Sequence, residues 1–156
     1  MRSNSFDSYK NKECNTIKEF ESILPHVKVN RIEEDKFSTY DFIFTSASTI
    51  FLTEVKTRNH SSGRYKDTVL EFDKVGRIFN EVINKDRIVK ESKNHSSNRV
   101  IGGFLVKFTD GMYLFDLSKA SSTISYKNCP ATTAEDNGRK DKILLHYKLE
   151  EAIKLS

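Results

Sequence analysis

Two short runs, TYDFIFT (39–45) and TIFLTEV (49–55), crowd β-branched and aromatic residues together, with only Ser46-Ala47-Ser48 between them. Such side chains suit a pleated surface, and so short a polar link makes the two runs pair with each other. The link has no Asn-Gly signal, so its turn type stays open. If the hairpin turns at Ala47-Ser48, Ser46 faces Thr49 and, counting outward, Asp41 faces Glu54. Their Cβ atoms would then lie roughly 4.5–5.5 Å apart on one face. Glu54 and Lys56, two residues apart on a strand, share that face about 7 Å from each other. Two carboxylates so close repel, and strand pairs normally avoid this. A divalent cation between them removes the conflict.

Around the hairpin the pattern alternates between helix and strand. From Lys12 to Leu24 the residues Ile17, Phe20 and Leu24 follow helical spacing, and Pro25 stops the run. In HVKVNRIEE, Val27, Val29 and Arg31 alternate as in a half-buried strand. A polar loop (57–67) leads to a second expected helix, about 68–91, with Phe72, Val75, Phe79 and Val82 on its stripe. RVIGGFLVKF (99–108) and GMYLFDL (111–117) form a strand pair about Asp110-Gly111. The Ser/Thr-rich stretch 118–141 reads as a long loop, and KILLHYKL followed by EEAIKL as a strand and a short helix. This order, α-β-β-β-α-β-β-loop-β-α, describes helices flanking a mixed sheet in an α/β domain over 12–156, with residues 1–11 polar and frayed. The similar stretches RNHSSGR (58–64) and KNHSSNR (93–99) are polar loops, and coincidence explains them better than a repeat.

Composition narrows the function classes. At 156 residues the chain has room for one real core, and eleven Phe with six Tyr can fill it. Cys14 and Cys129 are too far apart for a metal motif or a disulfide framework, which indicates a reducing compartment. No apolar run approaches membrane-spanning length, so neither a signal segment nor a membrane partner is expected. The net charge of +4 and the pI near 9.0 lean towards polyanionic partners without identifying one.

The acid–acid–lysine set is the informative feature. Magnesium takes hard oxygen ligands, and Asp41, Glu54 and the backbone carbonyl near Val55 could supply the protein's share. Lys56 could orient the attacking water and steady charge on a phosphorane. Glu-x-Lys alone carries little weight, because Glu34-Asp35-Lys36 and Glu91-Ser92-Lys93 also occur, both in polar stretches. Only Glu54 and Lys56 end an apolar strand with an acid opposite. The plain competing account is a solvent face on which the three charges neutralise one another.

The order helix, strand, strand with Asp41, strand with Glu54-Val55-Lys56, helix resembles the PD-(D/E)XK nuclease superfamily over roughly residues 10–108. The spacing is similar to that of Holliday-junction resolvases and small phage-encoded members, with Tyr40 where the motif has Pro. The resemblance implies a restriction-endonuclease-like mixed β-sheet flanked by helices, with an α-β-β-β-α-β core. It also implies Mg²⁺-dependent hydrolysis of DNA phosphodiester bonds, Mn²⁺ substituting, by an endonuclease acting in the cytoplasm, a host's if the chain is phage-encoded. Homodimers are common among such proteins. Family members usually add an acid from the first helix. Here Glu13 lies on the apolar stripe and Glu21 borders it, so Glu13 ranks first and Glu21 second.

On the second helix, Glu71 and Lys74 could face the site, although Thr68-x-x-Glu71 equally reads as a capping box. Lys56, Arg58, Arg64, Lys66, Lys74 and Arg77 would contact nucleic-acid phosphates. A second set (Lys85, Arg87, Lys90, Lys93, Arg99) fits a solvated helix face. His60 and His95 sit in loops without an assigned role, while His26 and His146 read as strand positions with no partner visible. The tract from Cys129 to Lys140 resembles a tail of small phage-type members that touches DNA or a second subunit, and by sequence alone is a surface loop. The alternative function is a nucleic-acid-binding module that grips without cutting.

Overall fold

The computed structural model describes residues 3–31, 39–91, 99–130 and 139–156. Helix α1 (Ser3–Ile23) precedes strands β1 (Lys28–Arg31), β2 (Phe42–Ser46), β3 (Thr49–Thr57) and β4 (Asp67–Glu71). Helix α2 (Phe72–Glu91) is followed by β5 (Arg99–Phe108), β6 (Gly111–Asp116), β7 (Thr123–Pro130) and β8 (Arg139–Lys148). A 3₁₀ turn (Leu149–Glu151) and the two-residue strand β9 (Ile153–Lys154) close the chain. Six strands make a mixed sheet in the order β1-β2-β3-β5-β6-β9, and three make a second sheet, β4-β8-β7.

The hairpin has the expected register: Ser46 pairs with Thr49 and Phe42 with Thr53. Its two-residue loop carries Ala47 at φ 52°, a positive value at the first central position. That is the pattern of a type II′ turn, whose twist matches the flanking strands. β3 then runs parallel to β5, Thr49 opposite Arg99 and Thr57 opposite Lys107. Leu52, Thr53, Glu54 and Val55 are all buried in this strand, and Glu54 stands out as the charged residue among them.

The six-stranded sheet is covered differently on its two faces. On one, Ile17 and Phe20 of α1 pack with Phe42, Phe44, Val55 and Leu105. On the other, Val75 and Ile78 of α2, with Leu70, Leu145 and Tyr147 of the small sheet, pack against Leu52, Phe104 and Val106. Burying each such side chain stabilises by about 1.5–3 kcal/mol, so these faces hold the domain together. The Gly-Gly pair of β5 has a packing reason: a Cβ on Gly102 would stand 2.9 Å from the Ile78 side chain. Any larger residue would lift α2 from the sheet.

Several elements differ from the sequence reading. α1 begins at Ser3 rather than Lys12, since a helix nucleated by its packed face can extend through polar residues. Residues 67–71 are strand β4, so the helix starts at Phe72 and Thr68 is not a cap. Thr68 and Leu70 are buried while Asp67, Val69 and Glu71 face outward, a period-2 pattern mistaken for the first helical turn. The buried stripe of α2 is Val75 and Ile78, whereas Phe72 and Phe79 are exposed. Much of the expected loop 118–141 is strand β7, paired with β8 from Thr123–His146 to Pro130–Arg139. The terminal helix is only one 3₁₀ turn. His26 lies in the turn after α1. Among the described residues, no helix is long and apolar enough to cross a membrane.

Candidate functional site

β3 outruns β2. The β2–β3 ladder stops at Phe42–Thr53, while β3 continues to Thr57 along β5. The edge of residues 54–57 facing β2 is therefore open, and the site forms in that gap. Asp41 sits just beyond the ladder. Its N–H donates to Thr53 O at 2.9 Å, one residue short of the partner that the regular register assigns it. Its carboxylate accepts the Val55 N–H at 2.7 Å, satisfying a backbone donor that the missing ladder would have left unpaired. Asp41 is thus locked beside Glu54 by the backbone it caps.

Glu54 is 2% exposed. Lys56 Nζ lies 3.3 Å from Oε1 and Lys74 Nζ, from α2, 3.1 Å from Oε2. Oε2 is wholly shielded from solvent, and the Lys74 ammonium is the charge that faces it. A carboxylate held in this environment prefers its neutral form. Burial first, then the Asp41 charge, raises its pKa from 4.5 to about 8, against the opposing pull of Lys56 and Lys74. Glu13 is raised in the same way: by burial, then by Asp41, with Lys56 and Lys74 again opposing. Three acids and two lysines, from α1, the residue before β2, β3 and α2, therefore share one electrostatic centre.

α1 is fastened at this end. Thr16 Oγ1 lies 3.2 Å from Thr57 Oγ1 at the end of β3, one helical turn from Glu13. Glu13 lines a cleft of about 550 Å³ with Lys12, Val55, Lys56 and Arg58 on one side and Glu71, Lys127, Lys142 and Leu144 on the other. Glu21, the second-ranked helix acid, is not among its lining residues. Glu71 pairs with Lys142 at 3.0 Å on the face of the small sheet. Arg58 Nη2 donates to Val69 O at 2.8 Å, tying β4 to the end of β3, and burial lowers its pKa.

The other expected phosphate-binding residues are not in the cleft. Arg64 lies over the Tyr65 ring, and Lys66 and Arg77 are exposed elsewhere. The cleft's far wall was missed: Lys127 fell in a supposed loop, and its strand partner Lys142 is visible only once β7 and β8 are paired. His146 does have partners, Asp67 at 3.0 Å and Ser125, which join all three strands of the small sheet. Lys93, His95 and most of the 131–140 tract lie outside the described residues, as do the side chains of Arg87 and Lys90.

Among the described residues, no group of three or more His, Cys, Asp and Glu side chains is set to hold a metal ion. The donor set fits a cation only in part: two converging carboxylates and one buried oxygen without a hydrogen-bond donor. Mg²⁺ is ordinarily held by one or two carboxylates with waters and phosphate oxygens, so a two-acid site is within its range.

No family model matches this chain, and no curated protein does. Among solved structures, the chain is similar to the Holliday junction resolvase Hjc of the archaeal hyperthermophile Archaeoglobus fulgidus. The match has a TM-score of 0.53 and 11% identity, covering 88% of this chain and 95% of that one. At that identity the likeness is one of fold, and the fold is restriction-endonuclease-like.

Proposed function

We propose that this protein is a metal-dependent nuclease that hydrolyses DNA phosphodiester bonds, acting as an endonuclease with Mg²⁺ and able to use Mn²⁺. One observation carries the reading. A buried carboxylate, ion-paired with two ammonium groups, lies with a second acid beside a lysine-walled cleft, in a fold similar to that of a Holliday junction resolvase. Burial that perturbs a carboxyl so strongly, beside charged partners in a cleft, is the arrangement that active sites use to tune their groups.

Asp41, Glu54 and the Val55 carbonyl would hold the cation, with Glu13 completing the acidic surround. When bound, it would polarise the scissile phosphate and lower the pKa of a water molecule. The chain's own groups supply the rest. Asp41 is oriented by the Val55 N–H. Glu54 holds the Lys56 ammonium at the cleft, where it can fix the attacking water and meet charge developing on the phosphorane. Lys74 offsets the carboxylate charge from the α2 side. Lys12, Arg58, Lys127 and Lys142 give the cleft the positive lining that a DNA backbone requires.

The test is a panel of linear, circular, branched and single-stranded DNA incubated with Mg²⁺, Mn²⁺ or EDTA. Cleavage in both metals, lost in EDTA and in Lys56→Ala, supports the proposal. DNA binding with no cleavage in either metal would replace it with a binding module. A lysine variant as active as the wild type would refute the assignment of Lys56.

A further inference from the structure

The cleft beside Lys56 is small, and it carries cations on both walls. Its volume of about 550 Å³ is that of a pocket for a drug-sized molecule, room for a nucleotide or two. Lys12 of α1 stands on one wall, Lys127 and Lys142 of the small sheet on the other, and Lys56 on the floor between them. Leu144, two residues from Lys142 on the same face of β8, adds apolar surface to the small-sheet wall. Glu54 is 2% exposed, so the way to the acids leads through the space that Lys56 lines. A duplex is too broad to descend there. Its major groove alone is about 12 Å wide, and its second strand travels with the first.

A stacking surface lies at the end of the cleft. Asn59 still lines the cavity, and the next residue, His60, meets Tyr65 edge-on with ring centroids 4.9 Å apart. Phe108 backs His60 from 5.6 Å. Tyr65 is 56% exposed and carries the Arg64 guanidinium over its ring, 5.5 Å from the centroid. The loop that presents this pair is pinned at two points to the turn between β5 and β6. Thr109 N–H donates to His60 O at 3.1 Å, and Ser62 donates both its N–H and its hydroxyl to the Asp110 carboxylate at 2.8 Å. An aromatic ring held out so firmly has lost little freedom left to lose on binding.

We infer that the chain accepted by this cleft is a single DNA strand, free or as an unpaired tail. Its phosphates pass between Lys12 and the Lys127–Lys142 wall, and an unpaired base stacks on the Tyr65–Arg64 pair. That the strand is DNA rests on the nuclease reading; that it is single rests on the cleft's size and on the stacking surface. Base-on-aromatic stacking is open only to a base released from its pair, and it accepts any sequence because every base has a flat π-face.

Anisotropy in EDTA, comparing a labelled single strand with a blunt duplex of the same length, tests this on the full chain. The single strand should bind roughly tenfold more tightly. Tyr65→Ala should weaken single-strand binding roughly tenfold and Tyr65→Trp should retain it, with circular dichroism unchanged in both. The salt-dependence slope should be the same in both variants, since stacking releases no counterions. With Mg²⁺, a tailed duplex should be cut within its tail while the blunt duplex stays intact. Equal affinity for strand and duplex overturns the inference, as does Tyr65→Ala binding like the wild type. Cleavage of blunt duplex as fast as of the tail also overturns it, and leaves the nuclease reading standing. A strand preference with no cleavage of any DNA in Mg²⁺ or Mn²⁺ does the reverse: it supports the single-strand cleft and refutes the nuclease.

Discussion

Glu54 and Glu71 each pair with lysine, and they live in different solvents. Glu54 lies on β3, in the middle of the six-stranded sheet, with Leu52 and Val55 fully buried near it and two ammonium groups close by. Glu71 lies at the end of β4, exposed on the small sheet, and meets Lys142 at 3.0 Å. The contacts are of nearly equal length. What separates them is water. Around Glu71 it screens the pair, leaving a contribution of about 0–1 kcal/mol. Around Glu54 its removal makes the charge costly and keeps one oxygen without a hydrogen bond. Burial, not pairing, creates a chemically poised group.

The largest test of this contrast is catalytic. Asp41→Asn retains an acceptor for the Val55 N–H but loses the charge, and Lys56→Ala removes the ammonium. Each should lower the cleavage rate by roughly 10²–10⁴-fold with the melting curve little changed. Glu71→Gln should cost less than about tenfold. Equal losses at Glu54's neighbours and at Glu71 would break the comparison.

Stability should divide between the sheets in the same way. Phe104→Ala, in the core under α2, should cost about 3–5 kcal/mol in urea denaturation. His146→Ala, which releases Asp67 and Ser125 on the half-open face of the small sheet, should cost about 1 kcal/mol.

The pH dependence follows from Glu54, whose pKa is about 8 in the folded chain against 4.5 for a freely hydrated glutamate. Below 4.5 both the folded and the unfolded chain hold the proton, and pH has no leverage there. Between 4.5 and about 8 the unfolded chain releases it and the folded chain keeps it, so stability falls as pH rises through that window. Metal-free protein should therefore lose on the order of 5 °C in melting temperature between about pH 5 and pH 8, and Glu54→Gln should flatten the slope. Added Mg²⁺ should stabilise more at about pH 8 than at about pH 6, since cation and proton compete for the same oxygens. A wild-type slope matching that of Glu54→Gln would count against the buried carboxyl.

The smallest effect is expected at the cleft's far wall. Lys127→Ala and Lys142→Ala should each weaken DNA binding a few-fold and lower the salt-dependence slope by about 1, measured by anisotropy in EDTA. Unchanged slopes would remove the small sheet from the binding surface.

The hairpin was readable in the chain because everything that sets it is local. β-branched and aromatic alternation, the short link Ser46-Ala47-Ser48 and the pleat's period of two together bring Asp41 and Glu54 to one face. The parallel pairing of β3 with β5 came only with the structure, the sequence reading having gone no further than a mixed sheet. The small sheet was not readable. Its strands β4 and β8 are brought together from Asp67 and Lys148, and segments with polar outer faces look like loop or helix cap until a partner strand satisfies their backbone groups. Lys127 and Lys142 share a cleft for that reason alone.

The amino-acid order by itself marked the candidates: the two acids, the lysine beside them and a helix acid, Glu13 ahead of Glu21. Only the tertiary structure decided that Lys74, rather than the other helix cations, meets Glu54. It also decided that Glu13 rather than Glu21 reaches the cleft, and that the end of β3 stays open where β2 stops. Local patterning constrains neighbours along the chain, whereas burial and electric field depend on which distant segments exclude water from a given atom.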